Sequence, residues 1–66
     1  MAQSTIYLKT NPKIKIVLRD RKYGIHATLY ENGEKIRGGY FADKDGDAHV
    51  YCILREWGFF ITDFTY

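Results

Sequence analysis

Asp43, Asp45 and Asp47 occupy every second position of the stretch DKDGDAHVY, with Gly46 among them. Carboxylates at positions 1, 3 and 5 are how a helix-flanked calcium loop begins. Such a loop also needs glycine at position 6 and a bidentate Glu at position 12. Counted from Asp43, those positions hold Ala48 and Leu54, and Glu56 falls two residues late. The cluster is therefore read as the start of a helix, where Asp accepts hydrogen bonds from the first free N–H groups and favours the positive end of the helix dipole. His49 and Cys52 lie one helical turn apart, but a zinc site needs three or four ligands and nothing nearby completes one. No metal and no cofactor is expected. Nucleophilic catalysis has little material. Ser4 is the only serine, and no third group is evident to orient His26 or His49 towards Cys52. Phosphate-loop glycine motifs are missing. The expectation is a protein that is not an enzyme.

The chain of 66 residues is a single small domain over residues 1–66. A domain of this size buries only about 60% of the surface its unfolded chain exposes. Cys52 is the lone cysteine, so no disulfide reinforces the chain, and one thiol fits a reducing compartment. No apolar run is long enough to span a membrane, and the N-terminal residues lack the pattern of a secretion signal. A cytoplasmic protein with no membrane partner is expected. Six Tyr, four Phe and one Trp exceed the obvious need of such a core and favour a homo-oligomer or a protein partner.

The elements that would position these residues follow from periodicity. Residues 1–12 form either a short strand or a loose tail, and Pro12 marks a break. Residues 13–20 alternate, with Ile14, Ile16 and Leu18 on one side and Lys13, Lys15, Val17 and Arg19 on the other. Residues 24–41 read as a hairpin about Asn32-Gly33, a favoured type I′ pair. Its first strand divides into Ile25, Ala27 and Leu29 against His26, Thr28 and Tyr30. Its second divides into Ile36, Gly38 and Tyr40 against Lys35, Arg37, Gly39 and Phe41, with Gly38-Gly39 marking a bulge or a close contact. Val50, Ile53, Leu54 and Trp57 then recur at helical spacing. They predict a helix over residues 45–57, closed by Gly58 and by Phe59 folding back on Leu54. The β-rich run HVYCIL keeps open an all-β alternative. Residues 59–66 read as a final strand, with Phe60, Phe64 and Tyr66 on one face. The predicted class is α+β: an antiparallel sheet of four or five strands in the order (β)-β-β-β-α-β, with one helix on one face.

Residues 1–41 carry eight Lys/Arg against three Asp/Glu, a net of +5, and residues 42–66 carry two against five, a net of −3. The sheet face away from the helix is predicted to hold Lys13, Lys15, Arg19, Lys35 and Arg37, with His26 and Tyr30 among them. Basic residues interleaved with aromatics suit a nucleic acid, a nucleotide or another phosphate-rich ligand. The stretch YGIHATLYENGEKIRGGYFADKDGDA loosely resembles the AP2-like modules at the N-termini of some phage integrases, in its strand-turn-strand-helix outline and in GGYF before the helix. That resemblance implies a three-stranded sheet that reads DNA with a helix behind it, and carries over no base-reading residue. The alternative function is a protein-interaction or inhibitory module of the kind small phage accessory proteins provide. It would dimerise through Phe60, Phe64 and Tyr66 with Tyr7 of the first segment.

Overall fold

Asn32 and Gly33 both adopt positive φ, 54° and 81°, as a type I′ turn requires. They join β3 (Gly24–Glu31) to β4 (Glu34–Ala42). The computed structural model describes residues 3–65. It extends this hairpin with β1 (Gln3–Leu8), β2 (Asn11–Arg21) and β5 (Phe64–Thr65) into one antiparallel sheet of order β4-β3-β2-β1-β5. One α-helix, α1 (Val50–Glu56), connects the two edges of the sheet, preceded and followed by the 3-10 turns Asp43–Asp45 and Ile61–Asp63. The expected α+β architecture is thus present, and the first segment joins the sheet. Pro12 lies inside β2 instead of breaking the chain before it. It sits beside the irregularity where the β1–β2 register shifts between Tyr7 and Leu8, a place where a strand tolerates a missing donor.

Alternation in β1, β2 and β3 decides the core. Ile6, Ile16, Ala27 and Leu29 turn to one face and meet Ile53, Leu54 and Phe64 there. Leu8, Ile14, Leu18 and Ile25 pack around them. The helical stripe behaves as its spacing predicts: Ile53 and Leu54 are fully buried, and Val50 and Trp57 pack at the margin.

The second hairpin strand departs from the expected phase. Tyr30 pairs with Lys35 but Leu29 pairs with Arg37, so Ile36 is an extra residue in a bulge. One inserted residue turns every later side chain to the other face. Arg37, Gly39 and Phe41 therefore lie on the helix side, while Gly38 and Tyr40 face away. Ile36 and Tyr40, expected in the core, are each 51% exposed. The chemistry explains the choice. Phe41 packs edge-on against Trp57, with centroids 6.0 Å apart and planes at 69°, and brings no hydroxyl to be satisfied in the core, as Tyr40 would. The guanidinium of Arg37 lies 5.3 Å from the centre of the Trp57 ring, a cation–π contact.

The helix is shorter than predicted and starts at Val50. Asp43, Asp45 and Asp47 do not cap it. The amide of Asp43 bonds the Tyr23 carbonyl at 2.7 Å, which holds the strand end, and Gly46 N–H closes the 3-10 turn on the Asp43 carbonyl at 3.0 Å. The N-cap is His49, whose Nδ1 accepts the Tyr51 N–H at 3.1 Å. The C-terminus closes as expected. Gly58 takes φ 83°, its N–H bonds the Arg55 carbonyl at 3.1 Å, and Phe59 N–H bonds the Leu54 carbonyl at 2.8 Å, the paired bonds of a Schellman ending.

The final strand is likewise shorter. Only Phe64–Thr65 pair, and they do so with β1. Phe60 N–H bonds the Asp63 carboxylate at 3.2 Å across the second 3-10 turn, which sets Phe60 outward at 70% exposure and Phe64 inward at 2%. Phe59 meets Phe64 edge-to-face at 5.3 Å. Tyr66 lies outside the described residues.

Three outcomes follow for stability. Phe64→Ala should cost about 3–5 kcal/mol in urea unfolding, a large fraction of a small domain's total, while Phe60→Ala should stay within about 0.5 kcal/mol. Gly58→Ala forces a Cβ into the left-handed region and should cost about 1 kcal/mol, read as a lower unfolding midpoint at unchanged slope.

Candidate functional site

The face of the sheet opposite α1 is organised in three rows set by strand register. Gln3, Arg19, His26 and Tyr40 form the first; Thr5, Val17, Thr28 and Gly38 the second; Tyr7, Lys15, Tyr30 and Lys35 the third. Alternation along β2 extends the same face to Lys13 at one end and Arg21 at the other, where Arg21 pairs with Gly24 and Gly24 with Ala42. The five cations Lys13, Lys15, Arg19, Arg21 and Lys35 thus share a face whose rows contain no acidic residue. Asp20 and Glu31 turn to the helix side by their pairing with Ile25 and Ile14. Of the acids after Ala42, Asp43 borders one end of the open face, and Asp45, Asp47, Glu56 and Asp63 lie in the segments that cross the other face.

Val17 and Thr28, at the centre of this face, are only 6% and 2% exposed although no helix covers them. Their neighbours in the outer rows are mostly long side chains, and these fold over the two short ones. Lys15 Nζ stands 5.6 Å from the Tyr30 ring centre, and Arg19 Nε bonds Gln3 Oε1 at 3.1 Å. Lys15 and Arg19 are thus half-buried against neighbouring side chains of the face, while Lys13, Arg21 and Lys35 are exposed. His26 is half-buried between Arg19 and Tyr40, and its Nδ1 is buried with no hydrogen-bond partner among the described residues. Tyr7 and Tyr40 remain substantially exposed.

Of the predicted ligand-binding residues, Lys13, Lys15, Arg19, His26, Tyr30 and Lys35 share this face. Arg37 does not: the bulge at Ile36 carries it to the helix side and onto Trp57. Tyr40 takes a place on the open face that alternation alone assigned to the core, and Arg21 extends the basic set beyond the stretch first read as a strand. Of the predicted interface residues, Tyr7 lies on this same open face. Phe60 is exposed just ahead of the second 3-10 turn, and the Phe64 side chain is buried in the core. The cation on the outer face of α1 is engaged locally. Arg55 Nη1 donates to the Tyr51 hydroxyl at 3.2 Å, and this hydrogen bond raises the guanidinium pKa above its ordinary value.

A groove of about 450 Å³ opens at one end of the face, lined by Tyr23, Tyr40, Ala42, Asp43 and Lys44. Gly24 underlies the Tyr40 hydroxyl: a Cβ there would sit 2.9 Å from that oxygen and collide with the Phe41 carbonyl. The close approach of the β4 backbone leaves room only for glycine at this corner.

The titratable groups considered for catalysis or metal binding are separated by the sheet. His26 belongs to the open face, whereas His49 and Cys52 lie on the helix side, with the His49 Nδ1 committed to the N-cap. Cys52 Sγ is 3.9 Å from the Gly46 carbonyl oxygen. Among the described residues, no three His, Cys, Asp or Glu side chains converge as metal ligands, and no helix is long and apolar enough to cross a membrane. No protein-family model matches the chain, and no curated protein or solved structure matches it either.

Proposed function

We propose that the chain is a non-enzymatic binding protein whose open sheet face engages the phosphate backbone of a nucleic acid. The observation that carries this reading is the acid-free grouping of Lys13, Lys15, Arg19, Arg21 and Lys35 with Tyr7, Tyr30, Tyr40 and His26 on one face. Cations that neutralise phosphates release condensed counterions, and this release supplies most of the affinity of such surfaces. Tyrosines and a histidine between them add stacking and hydrogen bonds. Lys15 and Arg19 flank Val17 on the central strand, so a backbone crossing the sheet meets both. The acids of the helix side repel the same ligand and give it one way to approach. The competing reading, a dimer formed through the last strand, retains Phe60 as its one exposed aromatic among the described residues of that segment.

Anisotropy titrations of labelled DNA and RNA test this. Binding should weaken steeply with salt, with a log–log slope of about −3 to −5 if most of the five cations contact phosphate. The double variant Lys15→Ala/Arg19→Ala should flatten that slope by about two, while Arg55→Ala on the other side of the molecule leaves it unchanged. A double variant with the parent's affinity and slope would remove the sheet face as the site.

A further inference from the structure

We infer that the groove at the corner of the open face seats an unpaired nucleobase, so that the ligand of this face is a single-stranded nucleic acid and not a duplex. The inference deepens the proposed function and rests on it. The groove is continuous with the basic face: Tyr40 stands in the row of Arg19 and His26, and Ala42 is in register with Gly24 and Arg21. Its walls are two largely exposed tyrosines, Tyr23 at 67% and Tyr40 at 51%, with Ala42 beside them. Exposed rings at the edge of a cationic track are where bases stack, irrespective of their sequence. A volume of about 450 Å³ is of the size that takes a small planar ligand.

The polar groups of the groove select the base over the phosphate. Asp43 lines it, and a carboxylate accepts from the N–H groups of a base edge but repels a phosphate. Lys44 shares the lining, and Lys22 Nζ lies 5.3 Å from the Tyr23 ring centre. Both bring positive charge to the groove's walls, where it favours the phosphates that flank a seated base. A base within a duplex is stacked and paired and cannot enter such a groove without being flipped out. A strand already unpaired pays no such cost.

The test compares a short labelled single strand, as DNA and as RNA, with the same sequence as a duplex. It uses the parent protein and the variants Tyr23→Ala, Tyr40→Leu and Lys15→Ala/Arg19→Ala. Tyr23 is exposed, so its removal leaves the fold intact. Tyr40→Leu keeps apolar cover over Gly24, and urea midpoints verify both folds. The parent should prefer the single strand. Each tyrosine variant should lose about 5- to 100-fold in single-strand affinity and leave the weaker duplex binding unchanged. The lysine–arginine variant should lose both. A mononucleotide competitor distinguishes a base held alone from a strand held along the face, and effective competition at the strand's own concentration would overturn the strand. Equal loss of both ligands in the tyrosine variants, or parental affinity in them, would overturn the base groove while leaving the basic face standing. Full affinity in the lysine–arginine variant would overturn the underlying reading instead.

Discussion

Ile53 and Leu54 of α1 are fully buried against Ile6, Ile16 and Ala27 of the sheet, and the rest of the molecule depends on that contact. A helix of seven residues is too short to persist alone in water, and a sheet without a covered face has no core. Each is stable because the other is present. The contact also decides the path of the chain. From β4 at one edge, the helix crosses the covered face, and its Schellman ending returns Phe59 to Leu54. The following turn then delivers Phe64 beside Leu8 at the opposite edge.

Only one face of the sheet can be covered by so short a helix, so the other must be compatible with water. It achieves this with long cationic and aromatic side chains that fold over Val17 and Thr28 instead of with a second layer. The same arrangement makes the face a surface fit for binding. Lys15 and Arg19 are half-buried beside Tyr30 and Gln3, and strand pairing fixes the spacing of the face, with side chains on one strand recurring about every 6.6 Å. The residues that make this face compatible with water are also those of the candidate site.

The bulge at Ile36 ties the two faces together. By adding one residue to β4 it sends Phe41 to the helix and Tyr40 to the open face, so that the core gains a ring without a hydroxyl and the surface gains one with it. The same shift takes Arg37 out of the basic face and lays it on Trp57. A defect in strand pairing thereby sets both the packing of the core edge and the makeup of the candidate site. The corner groove depends on it as well, because Tyr40 is one of its walls.

What could be read from the chain alone was whatever depends on near neighbours. The alternation of β2 and β3, the Asn32-Gly33 turn, the helical stripe ending at Trp57 and the Gly58 cap are local patterns, and each has one low-energy backbone. They were enough for the fold class and for placing Lys13, Lys15, Arg19, His26, Tyr30 and Lys35 together. The phase of β4, the late start of α1, the exposure of Phe60 and the burial of Phe64 were decided by tertiary structure. A bulge costs little locally, and which residue it displaces is settled by which ring fits beside Trp57. The aspartates lose their place at the helix start because the end of β4 must first be tied to the Tyr23 carbonyl. Phe64, one apolar residue among several in its segment, becomes core because the chain must reach β1 just there to close the sheet.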